Sequence, residues 1–182
     1  MTKKEIKEII QNGIAPVKLV RVFMSYDANY RYYLPLKASD KLFLGAAEDD
    51  FILDGYCVRR FRDVKKAECK DDKCLEILHR EGIIAALACP EVDVTDFYTV
   101  FSSLQKLGRN VIVEKGSLDE ELWEFTIGKI ERVCKNKVYM RGFDADGIWD
   151  EEPTEILFSN ITSVTFGSRY VEVFSKYVPK LD

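Results

Sequence analysis

The sequence predicts a mainly β chain with flanking helices, an α+β fold built from two small antiparallel units that are each preceded by a helix. Three observations carry this. Amphipathic helical spacing opens the chain and returns near residue 95, and each time it gives way to period-two alternation or short apolar blocks. The connections between those blocks are too short for crossovers, so the strands pair antiparallel. Composition agrees with an ordered chain: 47% of residues are hydrophobic and 12% aromatic, with ten Gly and five Pro and no low-complexity segment.

Thr2 stands before KKEIKEIIQNG with Glu5 three residues on, a capping-box pair; Ile6, Ile9 and Ile10 keep helical spacing and Gly13 is a stop. Past Pro16 come the strand blocks VKLVRVFM, YRYYLPLKAS, KLFLGAA and FILDGYCVRRF, with Asp27, Asn29, Ser39 and Asp40 as turn formers. Lys73 to Glu81, KCLEILHRE, reads as a second helix ending at Gly82. In DVTDFYTVFSSLQKLG the cap is Thr95 or Asp96, the apolar stripe runs Phe97, Val100, Phe101, Leu104, Leu107, and Gly108 ends the helix. NVIVEK, LWEFTIGKIERVC, KVYMRGF, TEILFSNITSVTF and RYVEVFSKY then read as strands, being rich in β-branched and aromatic residues.

Helix then strands, twice, predicts a duplication. Leu42–Leu44 aligns with Val138–Met140, and Phe51–Phe61 with Ile156–Phe166, a match that Arg59 against Val164 breaks. The expected organisation is residues 1–71 as the first unit, 72–94 as a helical connector and 95–182 as the second unit. Leu75, Ile77, Leu78, Ile83, Ile84 and Leu87 in the connector need burial, so the two units are expected to pack together.

A helix followed by about five short, bent strands resembles the Sm-like fold, a relative of SH3-type barrels, and the resemblance covers both halves. It implies tandem small antiparallel barrels and an RNA ligand. The family's Asn-containing pocket after the third strand and its Arg-Gly pair after the fourth have no counterpart in this sequence. The second half, from FTIGKIERVCKNKVYMRGFDADGIWDEEP through ITSVTFGSRYVEVFSKY, also resembles a group of bacterial proteins, a likeness that brings no activity with it.

The longest apolar run, Ile83 to Cys89, is too short for a bilayer, and MTKKEIKEIIQNG lacks a signal peptide's apolar core, so a cytoplasmic chain with no membrane partner is expected. Five Cys without a C-x-x-C pair fit reduced thiols. Net charge is −4 and uneven: residues 1–91 hold 16 basic and 15 acidic groups, residues 92–182 hold 11 and 16. Nucleic-acid binding would therefore need a local basic patch. The single histidine, His79, has no nucleophile or orienting partner at a recognisable spacing, and no Gly-rich phosphate loop exists. A non-catalytic binding module without a cofactor is the reading, with RNA as its ligand; the alternative is a protein-interaction or regulatory scaffold that uses the acidic Trp-containing loop, a metal-dependent enzyme is the third class, and self-assembly is open.

Two stretches carry the candidate sites. RRFRDVKKAECK offers Arg59, Arg60, Arg62, Lys65 and Lys66 for phosphates and Phe61 for stacking. Strand alternation would put Arg60, Arg62 and Lys66 on one face and Arg59, Phe61 and Lys65 on the other; a charged, solvated edge strand is the competing reading. DADGIWDEEP reads as a nine-residue loop extension, since six residues separate Leu44 from Phe51 but fifteen separate Met140 from Ile156. Asp144, Asp146 and Gly147 imitate a calcium loop that fails at Gly142 and Pro153. Trp149 and Ile148 among acids predict a partner-binding loop, with both packed on the first unit or a second copy, and with Asp150, Glu151 and Glu152 facing cations such as Arg60 or Arg62.

Overall fold

Thr2 begins the first helix as expected: its hydroxyl accepts from the Glu5 amide and the Glu5 carboxylate accepts from the Thr2 amide, closing a capping box. The computed structural model describes residues 1–181. Helix α1 (Lys3–Asn12) buries Ile6 and Ile10. Five strands follow, β1 (Leu19–Met24), β2 (Tyr30–Ala38), β3 (Leu42–Asp49), β4 (Ile52–Arg60) and β5 (Val64–Lys70), and then α2 (Lys73–Arg80). Helix α3 (Phe97–Leu107) opens the second half with an Asp96 cap and closes on Gly108 in the left-handed region that glycine tolerates. Strands β6 (Val111–Lys115), β7 (Glu124–Val133), β8 (Lys137–Gly142), β9 (Thr154–Leu157) and β10 (Ser163–Phe166) follow, and α4 (Arg169–Phe174) is the last element before an irregular tail.

All ten strands form one antiparallel sheet, in the order β5-β1-β2-β3-β4-β10-β6-β7-β8-β9. The expectation of two self-contained closed barrels fails in that form, because β4 pairs with β10 through Ser163↔Arg59, Val164↔Val58, Thr165↔Cys57 and Phe166↔Tyr56. The sheet is open, with β5 and β9 at its two edges. Each half nevertheless repeats one internal order, the fifth strand beside the first and then the second, third and fourth. Pro35 lies inside β2, where it has no amide to give to the ladder, and the register slips between Pro35 and Lys37.

Three further expectations change. RYVEVFSKY is the helix α4 and its tail, because Ser168 caps it and Val171, Phe174 and Val178 keep helical spacing against Ile112, Ile127 and Phe143. Helical period outweighs β propensity here. TEILFSNITSVTF splits into β9 and β10, with the Asn160 amide donating to the Leu157 carbonyl in the turn between them. The alignment of Phe51–Phe61 with Ile156–Phe166 overruns for the same reason: it sets the end of β4 against β10, which is its physical neighbour and not its counterpart.

One apolar core joins the halves. Leu42, Leu44 and Val58 from the first five strands pack with Phe101, Leu104, Val111, Met140 and Val164 from the second half. Segment 72–94 is part of this body: Leu78 is buried against Leu19, Leu34 and Ala46, and Leu75, Ile83, Ile84 and Leu87 pack beside it. Lys37 Nζ then pins the connector by donating to the carbonyls of Pro90 at 2.7 Å and Val92 at 3.1 Å.

Candidate nucleic-acid interface

The basic run after Tyr56 does not stay a strand. Phe61–Asp63 is a single 3-10 turn between β4 and β5, so the simple alternation of faces breaks at Phe61. Arg59 turns toward the β4–β10 joint, where its Nε donates to the Tyr33 hydroxyl at 3.0 Å and its Nη1 to the Tyr26 hydroxyl at 2.9 Å. Burial pushes both phenols above their ordinary range. Arg60 is 9% exposed; its Nε pairs with Asp63 at 2.6 Å and its Nη1 donates to the Ser159 carbonyl at 2.8 Å. Phe61 is 2% exposed against Phe43, which removes it as a stacking surface. Lys65 is exposed on the β5 edge, while Lys66 pairs with Glu68 and lies over the Phe23 ring.

What remains of the run enters a cleft of about 470 Å³ between the two halves. Its first wall is α1, the β2–β3 turn and the 3-10 turn; its second is the start of α3, the β7–β8 turn and the β9–β10 turn. Lys3, Lys7, Lys41, Arg60, Arg62 and Lys135 line it, against Asp40 and Asp96. Asp96 is committed to the helix cap, accepting from the Thr99 amide at 2.9 Å. Lys3 Nζ is likewise spent on the carbonyls of Arg62 and Val64. Arg62 donates to the Ser159 carbonyl at 3.0 Å yet keeps 63% of its side chain exposed, and Lys41 and Lys135 are exposed.

Leu42, Phe97 and Phe158 give the cleft an apolar floor, and Tyr98, 47% exposed, stands at its mouth. Cations around an exposed ring supply phosphate neutralisation and a π-face, the two needs of a single-stranded contact. Lys3, Lys7, Lys41, Tyr98 and Lys135 were not legible as site residues. They come from separate stretches, and only the pairing of the halves brings them to Arg62.

The acidic loop folds on itself. Asp144 Oδ1 accepts from the amides of Asp146 and Ile148 at 3.0 and 2.9 Å, and Gly147 takes a positive φ to close the turn. Trp149 packs edge-on to Phe143 at 5.1 Å, and its indole N–H donates to the Pro179 carbonyl at 2.7 Å. It therefore anchors the tail after α4 and not the first unit. Ile148 is 63% exposed. Asp150, Glu151 and Glu152 do not face Arg60 or Arg62; Arg141 donates to the carbonyls of Asp150 and Glu151 instead.

His79 is exposed on α2, and all five cysteines are free, with Cys57 buried. Among the described residues no three His, Cys, Asp or Glu side chains gather as a metal site, and no helix is long and apolar enough to cross a membrane. No family model matches the chain, and neither a curated protein nor a solved structure does.

Proposed function

We propose that this chain is a non-catalytic module that binds single-stranded RNA in the cleft between its halves. The observation that carries the reading is the meeting of Lys7, Lys41 and Arg62 from the first half with Lys135 and Tyr98 from the second around one apolar-floored cleft. In a chain of net charge −4 such a patch is local, which is the pattern expected of a site and not of bulk charge. The tandem Sm-like reading is proposed with it. Its support is the strand order common to both halves, each with a helix before it.

The test is fluorescence anisotropy with a labelled oligouridine across a salt series. Affinity should fall linearly in logarithmic terms with salt, and charge reversal at both Arg62 and Lys135 should weaken binding about tenfold or more and flatten the slope by about two. Reversal at Lys65 and Lys66, out on the β5 edge, should change affinity less than about twofold. Oligouridine binding that ignores the Arg62 and Lys135 reversals, or is absent at low salt, defeats the proposal.

A further inference from the structure

A second cavity, of about 920 Å³, opens beside the β4–β10 joint and is distinct from the RNA cleft. Arg59 forms its inner wall. Two of its five guanidinium and Nε hydrogens are taken by Tyr33 and Tyr26, and Arg59 makes no ion pair among the described residues. Glu114 lines the same cavity; its Oε2 accepts from the Ser163 hydroxyl at 2.6 Å, and its charge helps to hold Arg59 protonated without forming an ion pair. The Tyr26 hydroxyl in turn donates to the Thr162 carbonyl at 3.3 Å, so it meets the guanidinium with its lone pairs. Arg59 Nη2 makes no protein hydrogen bond and is open to the cavity, where it can meet an anion.

The rest of the cavity is aromatic. Trp123, 47% exposed, lies 5.6 Å from Phe125, and both line the opening with Tyr30 and Tyr170. Such exposure of neighbouring rings is unusual without an occupant. Trp123, Arg31 and Arg59 also wall an adjoining chamber of about 310 Å³. At the far rim the β3–β4 turn holds Phe51 at φ 66 and Asp50 at φ 47, a conformation costly for a bulky side chain. The Glu48 carboxylate, its pKa raised by burial, accepts from the Phe51 amide at 2.7 Å and holds that turn. Asp49 and Asp50 stand exposed there and would repel a second anionic group.

We infer that this cavity binds a small planar aromatic molecule bearing one anionic group, as a nucleoside monophosphate or an aromatic carboxylate does. The anion sits on Arg59 Nη2, the ring stacks on Trp123, and the far acids favour a hydrogen-bond donor on the ring's outer edge. An Arg at this position supplies paired N–H donors that Lys cannot reproduce.

Isothermal titration calorimetry with adenosine 5′-monophosphate and 4-hydroxyphenylacetate tells the phosphate source from the carboxylate source, with adenosine and inorganic phosphate as the separated halves. At least one aromatic anion should bind with Kd below about 1 mM, and each separated half at least about tenfold more weakly. Trp123→Ala, at an exposed position, should lower that affinity about tenfold without moving the melting temperature. Arg59→Lys should abolish binding while leaving the oligouridine affinity of the cleft unchanged, which keeps this inference separable from the RNA reading. Absence of binding by both aromatic anions overturns the inference. So does equal binding to the parent and a folded Trp123→Ala or Arg59→Lys variant.

Discussion

The first five strands and the last five share one order but not one set of lengths. β4 runs nine residues, whereas its counterpart β9 runs four. The long strand pairs with β3 along its whole length and offers Tyr56–Arg59 on its other edge to β10; the short one ends the sheet. The first half is covered by α1 on one face and by α2 with the connector on the other, while the second has α3 and the small α4. The difference teaches that sequence repeat and folding unit need not coincide. Each half supplies its own strand order, but only the two together supply the core around Phe101 and Val58.

The sharpest way to break that comparison is to empty each core in turn. Phe43 belongs to the α1 side and Phe101 to the shared core, both fully buried, and either one changed to Ala should cost about 3 to 5 kcal/mol. Calorimetry should show one transition in both variants. Two transitions, with Phe43→Ala lowering only the first, would make the halves independent. A smaller effect is expected at Arg60, which ties Asp63 in the first half to the Ser159 carbonyl in the second. Arg60→Ala should cost about 1 to 3 kcal/mol by denaturant unfolding, because a half-buried carboxylate and a carbonyl both lose a charged donor and keep only Arg62. A loss indistinguishable from that of an exposed Arg would show that this tie adds nothing to the joint.

The smallest effect lies at the edges. Glu68 on β5 is held at a pKa of about 2 by hydrogen bonds from Lys66 and then Arg21, and Glu155 on β9 is lowered in the same sense by Lys137 and then Tyr139. A folded-state pKa below the unfolded one stabilises above the unfolded value, here 4.5, and that stabilisation is lost as pH falls toward about 2. The urea midpoint of Glu68→Gln should therefore fall below the parent's at pH 7 and converge on it near pH 2. A constant gap across that window would assign the effect to packing.

Local signals were the readable ones. The Thr2–Glu5 box, the Asp96 cap with Gly108 behind it and the short apolar blocks of β1 to β3 each lie within a few residues, so propensity and local pattern report them directly. Arg169–Phe174 misled because Val and aromatic residues favour strands, while their helical spacing matters only once Ile112 and Phe143 offer a surface. Trp149 was legible as an anchor but not its dock, the Pro179 carbonyl 30 residues away. The cleft and the Arg59 cavity both depend on β4 meeting β10, and no local pattern encodes that meeting.

That same meeting sets a timetable for synthesis. A ribosome must add about 100 residues after β4 before β10 is made, which takes on the order of 5 to 20 seconds at ~5–20 residues per second. Throughout that interval the nascent first half, with β4 paired only to β3, presents β4's second edge around Val58 as an open template for any neighbouring chain. Dense polysomes and slow codons between residues 61 and 162 thus become hazards, and a chaperone that shields one strand edge for several seconds would be the most effective helper for this chain.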